Sequence, residues 1–196
     1  MKIKTVLLAL ALISFADVIL VACCDCDSEP AGLYKICDIN IANLDNSDLQ
    51  ITVASDTVPK EAYALELNLN ITTNEQCAKS MTLFSGAYAT SCECAIDYYT
   101  DNPIVDLRVV STNDINPNLP AGTDLSNYFY LFDGFEYIPS STIIGNYVID
   151  DYRTVITHQL RLMEYPEASG MQTFVVTIEL EDGTVHSSQA PTIYLK

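Results

Sequence analysis

The chain has 196 residues, no tryptophan, and 26 acidic against nine basic side chains, a formal net charge of −17. So acidic a surface repels nucleic acid and anionic lipid headgroups, which excludes both as electrostatic partners. The length suits one domain with its own hydrophobic core.

Lys2 and Lys4 give the start a positive charge, and an apolar run over 6–20 follows it. This is the pattern of a secretory signal, and the run is short for a hydrocarbon core of about 30 Å. Asp17 interrupts it at a cost of roughly 2.5–3.5 kcal/mol on insertion scales. Leu20-Val21-Ala22-Cys23 resembles a lipobox, so cleavage is expected after Ala22 with lipid on the Cys23 thiol and its freed amine. At about 0.8 kcal/mol per buried CH₂, two or three acyl chains hold a protein almost permanently. A rival cut after Ala16, at Ser14-Phe15-Ala16, would leave Val18, Ile19, Leu20 and Val21 as an exposed apolar patch. Without residues 1–22 the chain loses Lys2, Lys4 and Asp17, which leaves seven basic and 25 acidic residues and a net charge near −18.

Residues 23–32 read as an acidic tether. Asp25, Asp27 and Glu29 resemble a surface-export signal of some lipoproteins, and they equally suit a solvated linker. Their alternation also suggests a calcium loop, but the glycine and distant bidentate glutamate of an EF-hand are missing. All seven cysteines lie between Cys23 and Cys94. With Cys23 lipidated, an even set remains as disulfide candidates: Cys24, Cys26, Cys37, Cys77, Cys92 and Cys94. Cys24-Asp25-Cys26 and Cys92-Glu93-Cys94 offer four thiols to zinc, at a spacing tighter than structural zinc sites use. Oxidation to disulfides is the plainer reading in an exported chain.

Period-two alternation then marks strands. The first covers 33–44, with Cys37, Ile39 and Ile41 on one face. Asp45-Asn46-Ser47-Asp48 is a turn whose side chains cap their own backbone. A short strand over 50–53 precedes Asp56-Thr57-Val58, which resembles a bacterial O-glycosylation triplet at Thr57 and equally a loop before Pro59. Residues 61–73 carry the strongest alternation. Tyr63, Leu65, Leu67, Leu69 and Ile71 face the core, while Ala62, Ala64, Glu66, Asn68 and Asn70 face water. A strand over 81–89 lies between Cys77 and Cys92, and a bridge from Cys77 to Cys92 or Cys94 would close a loop of about 15 residues. Residues 104–111 place Val105, Leu107 and Val109 together. Thr123 or Asp124 caps one helical turn running to Phe129, and Asp133-Gly134 signals a hairpin.

The stretch 128–152 is the most aromatic. Tyr128, Tyr130, Phe132, Phe135, Tyr137, Tyr147 and Tyr152 are the candidate binding surface, for a glycan or a protein ligand. The competing reading is cross-strand packing over a small core. In 155–163, Ile156, His158, Leu160 and Leu162 share a face, so His158 is expected inside as a neutral, hydrogen-bonded core residue. Strands over 172–180 and 185–189 flank a second turn at Asp182-Gly183, and a strand over 192–195 closes the chain after Pro191.

The lipobox, residues 62–72, Pro120-Ala121-Gly122-Thr123-Asp124-Leu125 and the hairpin over 174–196 together resemble a family of uncharacterised Bacteroidetes-type lipoproteins. That resemblance implies an immunoglobulin-like β-sandwich and no established activity. The alternation points the same way: an all-β chain of about seven to nine strands with at most one short helix. No nucleophile elbow, zincin motif or phosphate loop occurs, so no catalytic residue, metal or cofactor is expected. Asp150 and Asp151 are the nearest thing to a paired-carboxylate site, but neighbours on a strand point to opposite faces. Two functions remain: a surface-exposed binding or adhesion module held in the outer membrane through Cys23, or a periplasm-facing structural component without a small ligand.

Overall fold

The computed structural model describes residues 32–73, 77, 97–132, 135–145, 148–149 and 154–196. The protein is all-β, and no α-helix occurs among the described residues. The first strands are β1 (Gly32–Asp45), β2 (Thr52–Val53), β3 (Thr57–Val58) and β4 (Tyr63–Thr72). After them come β5 (Tyr98–Thr100), β6 (Ile104–Ser111), β7 (Phe129–Phe132) and β8 (Tyr137–Pro139). The C-terminal part holds β9 (Val155–Leu162), β10 (Gly170–Gln172), β11 (Phe174–Leu180), β12 (Val185–Gln189) and β13 (Ile193–Leu195). Seven of these strands are four residues or longer, and the rest are ladders of two or three residues.

The largest sheet runs β2-β1-β4-β9-β7-β8, with β5 parallel to the start of β1. A side chain on Gly32 would collide with the Tyr98 ring, so that close parallel start requires glycine. A second sheet has the order β12-β11-β6, and a third the order β10-β13-β3. One apolar cluster fills the space between them. It takes Ile39, Leu65, Leu67, Leu160 and Leu162 from the large sheet and Leu107, Val176, Ile178 and Ile193 from the other two. Aromatic rings join the layers: Tyr63 stacks on Phe174 at 5.0 Å, and Phe129 meets Phe174 edge-on at 5.8 Å. This is a β-sandwich, as the family resemblance implies, and it is all-β, as the alternation predicts.

Two sets of buried polar groups that tie the layers together are paired through short networks. Tyr63 Oη donates to Asn43 Oδ1 at 2.7 Å, and Asn43 Nδ2 donates to Pro191 O at 2.8 Å, which ties β1 and β4 to the C-terminal segment. Burial pushes the Tyr63 hydroxyl well above its ordinary pKa, so it stays a donor. Ser111 Oγ donates to Gln172 Oε1 at 2.6 Å, and Gln172 Nε2 donates to Asp114 O at 3.1 Å. Each pair satisfies groups that would otherwise be desolvated at a loss.

Several expectations need correcting. The β1–β4 register shifts between Ile36 and Asp38, so Ile36 is buried with Ile39 and Ile41 while Cys37 leaves the core face. A second shift, opposite Glu179 and Leu180, leaves Val105 exposed while Ile104, Leu107 and Val109 are buried. Ala62 and Ala64 are buried, not wet: Ala62 lies in the 3-10 turn Lys60–Ala62 ahead of β4, and Ala64 lies on β4 between Leu44 of β1 and Arg161 of β9. The strand expected over 172–180 is two strands, β10 and β11, in different sheets. Thr57 lies exposed on the edge strand β3, parallel to β13, and not in a loop. The helical turn is a 3-10 turn over Ser126–Tyr128, and further 3-10 turns occupy Lys60–Ala62 and Ser140–Ile143. The β11–β12 hairpin forms as expected: Thr184 N donates to Asp182 Oδ1 at 2.8 Å, and Gly183 takes φ +83°.

Candidate functional site

The antiparallel β7–β8 hairpin forms the edge of the large sheet, with Phe132 opposite Tyr137. Its turn residues Asp133 and Gly134 lie outside the described residues. Phe132, Phe135 and Tyr137 are 55%, 95% and 40% exposed. The Phe132 and Tyr137 rings are 5.3 Å apart and tilted by 45°. Arg161 of β9 lies over Tyr137, 5.4 Å from the ring centre, and donates to its hydroxyl at 2.7 Å. That contact combines a cation–π attraction with a hydrogen bond and fixes the ring at the rim. Tyr128 and Tyr130 are half-buried, and Tyr128 packs against the core. Five of the seven aromatic candidates are therefore placed: three exposed rings share one hairpin, Tyr128 serves packing, and Tyr130 is half-buried on β7. Tyr147 and Tyr152 lie outside the described residues, as do Asp150 and Asp151.

Beside the hairpin, β7 pairs with β9 only as far as Leu131 and Leu160. Beyond that point a cleft of about 480 Å³ opens, lined by Leu131, Phe132, Ile138, Thr142, Ile143, Thr157, His158 and Gln159. This is the size range of small-ligand sites, about 300–1,000 Å³, and among the described residues no charged side chain lines it. His158 is buried on the core face of β9, opposite Leu67 of β4. Burial lowers its pKa from 6.5 to about 4, so the imidazole is neutral at pH 7. The alternation predicts that inward placement, but not the cleft that opens beside it, because the cleft depends on where β7 ends.

The His158 shift has a stability consequence of definite sign. Between pH 6.5 and about 4 the unfolded chain binds a proton at this residue and the folded chain does not. Stability from this group is complete above pH 6.5 and falls as pH drops towards 4, by about 3 kcal/mol in all. Urea unfolding of wild type and His158→Gln across that range is expected to show the wild type losing its margin over the variant. Parallel pH profiles would contradict it.

A second cleft, of about 520 Å³, lies at the other side of the fold among Lys35, Asp101, Asn102, Glu181, Asp182, Thr184 and His186. The Cys37–Cys77 disulfide lines it, with Cα atoms 5.3 Å apart. Two of the six disulfide candidates are thus joined, and Cys77 pairs back to β1 rather than forward to Cys92 or Cys94. Cys23, Cys24, Cys26, Cys92 and Cys94 lie outside the described residues. Hydrogen bonds from Thr184 hold the Asp182 carboxylate below its ordinary pKa. Among the described residues no group of three or more His, Cys, Asp or Glu is arranged to hold a metal, and no helix is long and apolar enough to cross a membrane.

No curated protein matches the chain. Among solved structures, one titled "BspA_C_mut" is 11% identical, with 81% of this chain and 46% of that structure covered at a TM-score of 0.23. The chain thus spans about half the length of that structure. The family model described as "Domain of unknown function (DUF5034)" matches residues 36–190, and with that span of the β-sandwich the chain belongs to this family.

Proposed function

We propose that the protein is an outer-membrane lipoprotein, held through lipid on Cys23 and facing the cell exterior, whose β-sandwich is a non-enzymatic binding or adhesion module. The observation that carries this reading is the edge hairpin, which holds Phe132, Phe135 and Tyr137 exposed beside a cleft with no charged side chain among the described residues. Exposed rings cost solvation in a protein that has a core to place them in, and their grouping marks a contact surface. Leu20-Val21-Ala22-Cys23 and the acidic residues after it support the anchor and its outward face. On this reading the chain is one of the Bacteroidetes-type lipoproteins.

Protease shaving of intact cells tests the address, and intact mass tests the acyl group on Cys23. The expected results are clipping alongside true surface proteins and an acylated N-terminal cysteine. Resistance of this protein while its neighbours are clipped would place it inside the envelope instead. Binding of the purified full chain to glycan and protein arrays tests the module itself. Any hit is expected to weaken by at least about tenfold in Phe132→Ala or Tyr137→Ala, as anchor residues at a contact surface do. A blank array would sink the binding reading.

A further inference from the structure

The outer face of the large sheet carries an unusual set of side chains. In the register of β1, β4 and β9, Asn40 lies beside Asn68 and Asn68 beside Thr157. One row along, Glu66 lies beside Gln159, and on the other side Asn70 lies beside Asp38 and Val155. Residues two apart on a strand share a face at about 7 Å, so these rows form one continuous platform. Asn40, Thr157 and Gln159 are exposed, and Glu66, Asn68 and Asn70 are half-buried. Thr157 Oγ1 donates to Asn68 Oδ1 at 2.6 Å and Asn68 Nδ2 donates to Glu66 Oε1 at 2.8 Å, so the platform's polar groups are held in place by one another. At the β9 edge the platform meets the cleft of about 480 Å³, which Thr157, Gln159 and Phe132 line.

We infer that this platform and the Phe132–Tyr137 rings form one binding face for an uncharged, extended glycan chain. The inference rests on the binding-module reading and names its ligand class. Amides both donate and accept, as sugar hydroxyls do, so a row of them matches a row of hydroxyls without a net charge. The rings at the flank offer the apolar surface that the C–H face of a sugar ring needs. Glu66 accepts from Asn68, Asp38 on the β1 side accepts from Ile39 N, and Arg161 donates to Tyr137 Oη and to Glu61 O, so the charged groups named on this face already hold partners. A net charge of −17 disfavours sulfated or uronic chains. A peptide strand would seek a sheet edge, where backbone groups are open, rather than this face. A protein partner would want an apolar centre, which the amide rows do not provide.

The test is calorimetric titration of the full chain, in detergent, with unbranched neutral hexasaccharides (β-1,4-glucan, β-1,3-glucan and β-1,4-mannan) and with a hyaluronan hexasaccharide. Saturable binding of a neutral chain is expected, weakened by at least about tenfold in Gln159→Ala and in Tyr137→Ala with melting temperatures unchanged. Binding to the acidic chain alone, to no neutral chain, or equally by wild type and both variants would overturn the inference. A protein ligand on the array that depends on Phe132 or Tyr137, with no neutral glycan bound, would overturn the glycan class while leaving the binding module standing.

Discussion

Phe174→Ala is expected to destabilise the protein by about 3–5 kcal/mol, the cost of removing a large buried ring and leaving a cavity. Phe174 is fully buried at the start of β11, where Tyr63 stacks on it and Phe129 meets it edge-on. Its loss therefore strips both partner rings of contacts at once, in a layer the backbone cannot collapse into, since β4, β7 and β11 each belong to hydrogen-bonded sheets. Phe174→Leu keeps most of the volume and should cost clearly less. Urea midpoints measure both, and a Phe174→Ala change under about 1 kcal/mol would mean that the layers are not pinned here.

The second large effect is at Cys37–Cys77. The bridge spans 40 residues of sequence, and the chain-entropy relation assigns about 4 kcal/mol to closing a loop of that length. The loop it closes contains β4, the strand that pairs with both β1 and β9, so the constraint acts on the centre of the large sheet. Replacing both residues (Cys37→Ser with Cys77→Ser) isolates this bridge from the other cysteines, which a reductant would also attack. The expected result is a fall of many degrees in melting temperature with the β-sheet spectrum retained at low temperature. A double variant melting with the wild type would show that the bridge constrains nothing.

Much of this was legible in the alternation. Tyr63, Leu65, Leu67, Leu69 and Ile71 lie in the core as the pattern demands, because period two over ten residues fits only a strand with one buried face. The errors share a cause. Cys37 and Val105 sit at register shifts, where one extra residue exchanges inside for outside, and counting by twos cannot see a bulge coming. Ala64 is buried against the prediction because alternation reports polarity, whereas burial also depends on which strands lie alongside, and Ala62 because it sits in a 3-10 turn rather than on the strand. The exposed rings of the β7–β8 hairpin were visible as a cluster of aromatic letters, but sequence could not separate Phe132, Phe135 and Tyr137 from Tyr128, which packs inward. Nothing local marked Asn40, Asn68 and Thr157 as neighbours. They come from three strands spread over 118 positions of chain, and only the register brings them into one row.

The place of β13 bears on when this domain can close. Residues 193–195 lie in the middle of their small sheet, between β10 and β3, and Ile193 and Leu195 are fully buried. Pro191 O also accepts the amide of Asn43, from near the other end of the fold. No partial chain lacking these residues has a finished core, so ribosomal synthesis runs ahead of folding until they have been made.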